Sequence, residues 1–389
     1  MSELDHIYLD NAATSFPKPA TVYDVMDRYN RECGAPVGRG NYREASQLEH
    51  RVAQCRQQAA RLLGAGPPER IAFTFNGTDS LNLAIHGIVA PGDHVVTTVI
   101  EHNSVLRPLR ELERRRGVEV DRVDCNDEGL VEPAAIKAAI CSRTRLIVVT
   151  QASNVTGTLQ PIAEIGEIAR QKGIPFVVDG AQSAGHVSQS LADLPIDVFA
   201  CSGHKGLLGP LGTGLLYVRE GLEDQLHSVR QGGTGSQSEQ DVQPDRLPDK
   251  YEPGNHNAPG LIGLAAAIDY LLERTIADVN KHEHFLTMRL IEGIQSRTRL
   301  SIIGPTDSKT PRVSVVSVTS DEFEPQILAG ILDETYRIQV RAGLHCAPLV
   351  HRRMGTADGG GTVRFSVGPF TTPDEIDRTV AALAEISPV

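Results

Sequence analysis

The chain has 389 residues, enough for two packed domains. Its 38 basic against 49 acidic residues give a net charge of −11, which argues against a nucleic-acid partner, because binding a phosphate backbone rests on clustered Lys and Arg. The opening MSELDHIYLD lacks the basic and apolar regions of a signal peptide, and no apolar run approaches the roughly 18 residues of a membrane span, so a soluble, cytoplasmic protein with no membrane partner is expected.

In chain order, FNGTDSLNLAIHG (75–87) places Gly77 ahead of Thr78, Asp79 and Ser80, which open an apolar helix carrying Leu81, Ala84, Ile85 and Ile88. Free N–H groups at such a start suit a phosphate, and helix capping explains the same polar residues without a ligand. HVVTTVI (94–100) reads as a strand followed by His102, and RELERRRG (110–117) as the solvated end of a helix. RLIVVT (145–150) is a further strand; Asn154 after it suits either a site or a turn. PIAEIGEIARQKG (161–173) has helical period, and PFVVDG (175–180) is a buried strand ending in Asp179, with Gln182 three residues on. The alternation predicts an α/β fold with a mainly parallel sheet covered by helices on both faces. Ligands of such sheets collect at the carboxyl ends of strands, although a structural cap explains Asp179 equally.

The turn SGHKGLLGPLGTGLLYV (202–218) sets Lys205 before its glycines, the reverse of a nucleotide-binding P-loop. Residues 231–260 have almost no apolar periodicity, which marks a functional loop or a linker. GLIGLAAAIDYLLERT (260–275) is helical and leads toward a second domain. Near the end, TVRFSV (362–367) reads as a strand, and TPDE (372–375) supplies Thr at the N-cap, Pro at the first helical position and Glu at the third, ahead of a helix with Ile376, Val380 and Leu383 on one face. The six cysteines, at 33, 55, 125, 141, 201 and 346, show no metal-ligand spacing, so no metal is expected and thiols are.

Taken together, the strand ends meet the needs of pyridoxal 5'-phosphate: Lys205 to carry it covalently, Asp179 to keep its ring nitrogen protonated, and the helix start at Thr78 to anchor its phosphate. Ser202 and His204 flank the lysine, in position to help hold that phosphate. The spacing of Asp179 and Lys205 leaves room for one crossover helix and the strand VFACS.

YLDNAATSFPKP, EHNS, SNVTG, VVDGAQSAG, SGHKGLLGPLGTGLLYV, RAGLHCAPL and VRFSVGPFTTPDEID follow one another as in the class V aminotransferase superfamily. The chain most resembles its cysteine desulfurase branch, specifically the group II, Suf-type enzymes related to selenocysteine lyases. The resemblance implies a pyridoxal-phosphate-dependent transferase of fold-type I and a homodimer. A large cofactor domain would span 17–262, and a smaller α+β domain 1–16 and 263–389. It assigns Lys205, Asp179, Gln182, His102 and Asn154 to the cofactor, which Gly77, Thr78, Asp79, Ser202 and His204 join from the reading of the helix start and the lysine turn above. Arg364, Arg341 and Asn154 fall to the substrate, with Arg364 pairing its α-carboxylate, a task suited to a planar guanidinium.

The implied reaction converts L-cysteine to L-alanine, with Lys205 moving the α-proton, His102 relaying protons and Cys346 taking the sulfur as a persulfide. His345 or Arg341 would favour the thiolate of Cys346. The sulfur would pass through a small acceptor protein toward iron-sulfur clusters or another use. Two segments depart from the family pattern: Asn255 and His256 replace a threonine-containing stretch that reaches the other subunit's cofactor, where Asn255 can still donate a hydrogen bond, and Tyr42 stands where relatives carry a histidine. L-selenocysteine lyase, cysteine sulfinate desulfinase, another class V activity and a non-catalytic scaffold are the competing readings.

Overall fold

A computed structural model describes residues 6–38, 40–237 and 239–389. The first five residues of the opening segment, and Arg39 at the head of the stretch containing Tyr42, lie outside the described residues.

The apolar runs form a seven-stranded sheet in the spatial order Ile71–Thr74, Gly214–Val218, Val198–Ser202, Phe176–Asp179, Thr144–Thr150, His94–Thr98, Glu119–Val123. Gly214–Val218 runs antiparallel to both neighbours, and the other strands run parallel. Successive side chains enter opposite faces: Val148 and Val177 join one apolar cluster, Val149 and Val178 the other. Gly77–Ile88 and Asn103–Arg116 cover the first face; Arg43–Leu63, Ile162–Lys172 and Ala258–Arg274 cover the second. RELERRRG ends the Asn103–Arg116 helix, with three arginines in its last turn complementing the negative end of the dipole.

The connection between Phe176–Asp179 and Val198–Ser202 differs from the crossover helix expected there: residues 180–197 form turns. The segment instead spends its backbone groups on tertiary contacts, with Leu191 and Ala192 donating to the carbonyls of Leu63 and Gly64 at the end of another helix.

The smaller unit is a four-stranded antiparallel sheet ordered Arg341–Gly343, Thr362–Ser366, Val315–Thr319, Ser301–Ile303. The helices Ile276–Arg297 and Pro373–Ile386 pack with it, and the second begins with the capping box predicted at Thr372 and Glu375. The N-terminal segment joins this unit, since Ile7–Tyr8 pairs in parallel with Ile338–Gln339 and Ser366 N–H donates to Leu9 O. The larger core runs past residue 262, where the sequence placed the boundary. Ala258–Arg274 is one continuous helix whose Leu264, Ile268 and Leu271, followed by Val279, pack into the core of the larger unit.

Candidate active site

The strand Val198–Ser202 is buried throughout and delivers Ser202 and then the Lys205 turn to the carboxyl edge of the sheet. That turn lies against residues 184–186 so closely that a Cβ on Gly206 would come within 2.4 Å of Ala184 O; only glycine fits there. The carbonyl of His204 accepts from Ser15 N–H at 2.9 Å, which ties the N-terminal segment over the turn. One strand away, Asp179 ends Phe176–Asp179 at 3% exposure, and one of its carboxylate oxygens accepts from Ala181 N–H at 2.9 Å.

Lys205 and Asp179 line one cavity of about 240 Å³ together with Gly77, Thr78, His102, Asn154, Gln182, Ser202, His204, Arg341, His345 and Arg364. Thus ten of the sequence-predicted residues besides Lys205 and Asp179, scattered over almost 300 positions, converge on the edge where parallel strands end. Burial lowers the Lys205 amine to about 8 against the opposing pull of Asp179, and burial raises the Asp179 carboxyl against the pull of Lys205.

At the proposed phosphate end, Asn76 caps the helix, accepting from Asp79 N–H at 2.9 Å, so the helix starts at Gly77 rather than at the Thr/Asp/Ser cluster. Gly77 N–H donates to Ser202 Oγ at 3.0 Å, and Thr78 Oγ1 and Ser104 Oγ are 2.7 Å apart. A Cβ on Gly77 would sit 2.9 Å from Ser202 Oγ and close this corner. Asp79 does not face the cavity. Its carboxylate accepts from Phe75 N–H at 2.9 Å and pairs with Arg230 at 3.2 Å, so it is a structural anchor. Ser80, fully buried, donates to Leu215 O.

His102 caps the next helix: Ser104 N–H donates to its Nδ1 at 3.1 Å, which leaves the proton of the neutral ring on Nε2. Burial, followed by Lys205, Arg341 and Arg364, pushes its pKa down to about 3. Burial, Lys205 and Lys18 likewise lower His204 to about 4, and its buried Nδ1 has no hydrogen-bond partner among the described residues. The Gln182 amide donates to Ala12 O at 3.0 Å, and the Asn154 amide to His345 O at 2.7 Å.

Arg364 is 1% exposed, donating from Nη2 to Asp10 Oδ1 at 2.9 Å and from Nη1 to Asn154 O at 3.2 Å, while its Nε has no partner among the described residues. Arg341 stands directly opposite it across the antiparallel pair. Two like charges so placed destabilise a sheet. Their position beside a cavity is the arrangement that binds an anionic group.

Arg341 Nη2 lies 3.5 Å from Cys346 Sγ, which places that sulfur beside a residue of the cavity wall although Cys346 is itself outside the lining. His345 provides no charge to the thiol. Its Nε2 pairs with Thr362 Oγ1 at 2.9 Å, and burial lowers its pKa to about 2, so His345, one of the two neighbours expected to favour a thiolate, does not set a positive charge beside Cys346.

Asn255 and His256 line a different pocket, beside Phe75 and Arg230. Tyr42 precedes the Arg43–Leu63 helix at 49% exposure, outside the cavity. Sequence reasoning missed Asp10, Ser104 and Glu101. Glu101 is fully buried, accepts from Thr98 Oγ1 at 2.6 Å and Thr150 N–H at 3.0 Å, and is raised by burial to about 8. Asp10 and Glu101 belong to the motifs YLDNAAT and EHNS, but nothing in their spacing indicates a partner 354 or 49 residues away.

The model of the family "Aminotransferase class-V" matches residues 7–379. A probable cysteine desulfurase from Methanothermobacter thermautotrophicus is 36% identical over 98% of this chain and 95% of that protein, and one from Pyrococcus abyssi is 34% identical over 98% and 94%. Among solved structures, the apo cysteine desulfurase of Thermococcus onnurineus NA1 superposes with a TM-score of 0.91 at 34% identity, covering 98% of this chain and 95% of that one. The cysteine desulfurase CsdA of Escherichia coli gives 0.87 at 29%, covering 98% and 94%. A family model spanning nearly the whole chain, and relatives matched along nearly their whole length, show that the chain belongs to the class-V aminotransferase family.

Proposed function

We propose that this chain is a pyridoxal-phosphate-dependent cysteine desulfurase that converts L-cysteine to L-alanine and takes the sulfur on Cys346. The observation that carries the reading is that Arg341, which lines the cavity together with Lys205, Asp179 and Arg364, has its guanidinium 3.5 Å from the sulfur of Cys346 just outside that lining. The residues fit the cofactor: a buried amine, a carboxylate across from it, an open helix start without a Cβ at Gly77, and a buried histidine nitrogen at His204 lacking a partner. Lys205 would hold it covalently, Asp179 and Gln182 would face its ring, His102 would lie against it, and Gly77, Thr78, Ser202 and His204 would hold its phosphate. Bound there, it would supply an electron sink for negative charge at the substrate Cα.

The protein's own groups do the rest. Arg364 Nη donors orient the substrate carboxylate, and the Lys205 amine, lowered to about 8, moves the α-proton at Nζ near neutral pH. The neutral His102 ring holds a proton at Nε2 toward the cavity. The Cys346 sulfur attacks the substrate sulfur, the sulfur–Cβ bond breaks, and the Cβ takes the electron pair and a proton. The products are alanine and Cys346 persulfide. Arg341 balances negative charge on the attacking sulfur.

The same reading includes a cytoplasmic homodimer in which Asn255, outside its own chain's cavity, acts on the partner's cofactor. It also includes a small acceptor protein that collects sulfur from the part-exposed Cys346 for iron-sulfur clusters or other use. Incubation of the holoprotein with L-cysteine, followed by peptide mass mapping, tests the reaction. Added sulfur at Cys346 and an equivalent of alanine are expected, whereas transamination products or unmodified Cys346 overturn the assignment. Selenide released from L-selenocysteine much faster than sulfide from L-cysteine would instead make the chain a selenocysteine lyase.

A further inference from the structure

The turn that carries Cys346 is strained, and the smaller sheet does not hold it alone. His345 and Cys346 both lie in the left-handed region, with φ of 48° and 58°, a conformation that residues with side chains adopt at a cost and keep only where surrounding contacts fix it. The turn leaves the strand Arg341–Gly343 of the smaller sheet and leads into the helix Pro348–Arg353, whose Val350, like Ala347, packs in the core of the larger unit. Both carbonyls of the left-handed pair accept from the larger unit. His345 O accepts from the Asn154 amide at 2.7 Å, and Cys346 O from the Asn103 backbone N–H at 2.7 Å.

The Asn103 donor is not incidental. Asn103 is the first residue of the Asn103–Arg116 helix, where N–H groups have no intrahelical acceptor and the dipole is positive. The Cys346 carbonyl satisfies that orphan donor, while His102, one residue earlier, faces the cavity. One helix start therefore sets both the ring of His102 and the backbone of Cys346. The His345 ring is pinned below by Thr362, so the turn is held on three sides and its thiol projects 3.5 Å from Arg341.

We propose that Asn103 is a positioning residue: its backbone N–H, with the Asn154 amide, clamps the left-handed His345–Cys346 turn and so fixes the Cys346 thiol beside Arg341 at the edge of the cavity. The clamp thus holds the thiol at the point where the chain passes from the smaller sheet to the core of the larger unit. That the positioned thiol accepts sulfur rests on the function proposed above; the clamp itself does not.

Asn103→Pro removes this one donor. Proline is favoured at the first helical position, and His102, at φ −70° and ψ 156°, already has the backbone a following proline requires. Asn103→Ala is the control, keeping the N–H and losing a side chain that makes no hydrogen bond among the described residues. The readout is the rate of Cys346 alkylation by iodoacetamide in holoprotein without substrate, followed by peptide mass, with the visible cofactor spectrum as a check on the cavity. Asn103→Pro should raise the rate about threefold to tenfold, the worth of one net hydrogen bond, because the released turn opens the part-buried sulfur to the reagent, and Asn103→Ala should stay within about twofold of wild type. Sulfur release from L-cysteine should show a lower kcat in the proline variant at nearly unchanged KM.

Equal alkylation rates in the two variants would overturn the clamp. Should Asn103→Pro not fold, amide exchange in the wild-type holoprotein decides: Asn103 N–H should exchange at least about tenfold more slowly than in an unstructured peptide, and peptide-like exchange overturns the proposal. A proline-specific rise in alkylation without any sulfur on Cys346 would retain the clamp and remove the desulfurase reading. Sulfur on Cys346 with no effect of proline would do the reverse.

Discussion

Replacing Asp10 tests how the smaller unit keeps a buried guanidinium charged at the cavity. Arg364 is 1% exposed and Asp10 is its carboxylate partner, at 2.9 Å, while Arg341 stands directly opposite with the same sign of charge. Asp10→Ala leaves Arg364 buried with the Asn154 carbonyl as its one remaining hydrogen-bond partner among the described residues. Removing one member of a buried ion pair costs about 3–5 kcal/mol. Asp10 keeps 21% side-chain exposure, so water already screens part of the attraction and the low end, about 3 kcal/mol, is expected. With an m-value of roughly 3 kcal/mol per M, the urea midpoint of the transition that includes the smaller unit falls by about 1 M. Asp10→Asn retains an acceptor oxygen without its charge and should lose about half as much. L-alanine, which carries the carboxylate that Arg364 is proposed to bind, should recover part of the loss in both variants by mass action. Midpoints for both variants within about 0.2 M of wild type would show that the Arg364 charge is compensated elsewhere, and the account of this corner would fail.

Arg364→Lys keeps the charge but loses the planar fork, so KM for L-cysteine should rise about tenfold or more with less change in kcat; an unchanged KM would remove Arg364 from the carboxylate site. Loading of pyridoxal phosphate onto the apoprotein, followed by visible absorbance, should accelerate as pH rises through about 8, because Lys205 is a non-nucleophilic ammonium below its lowered pKa and a free amine above it. A rate that is flat from pH 6 to 9 would contradict that burial effect. Glu101, raised to about 8, holds a proton in the folded state that the unfolded chain releases near 4.5. Its contribution is full below the unfolded value and is lost as pH rises through about 8, so Glu101→Gln should flatten the decline in stability across that window in urea titrations.

The pattern of the large sheet was legible because its central strands are buried on both faces and read as continuous apolar runs, such as the LIVV of RLIVVT and the VFAC of VFACS, whereas the edge strand Glu119–Val123 is exposed or half-buried throughout. Lys205, Asp179 and Ser202 were legible for a related reason: polar residues at the ends of such runs have no packing role to explain them. Asp79 misled because an acidic residue in the first helical turn looks the same whether it faces a ligand or anchors its own loop. The helix expected before Val198 failed because local spacing allows one, whereas the segment bonds to the far end of another helix. His345 lies beside Cys346 in sequence, yet the left-handed backbone at both residues turns its ring to Thr362. That reversal depends on φ, which no residue-type pattern states for a histidine or a cysteine.

The charges around the cavity fit together only as a set. Among the described residues, Lys205, Arg341 and Arg364 line it against one carboxylate, Asp179, and the histidines that could add positive charge are held neutral, His102 at about 3, His204 at about 4 and His345 at about 2. Burial is the first cause at each histidine, and the nearby cations push in the same direction. Such a wall suits a phosphate and a carboxylate, whose negative charges offset the cations. The Cys346 sulfur stands at the edge of this wall, beside Arg341, and the two clamping donors at Asn103 and Asn154 do the placing.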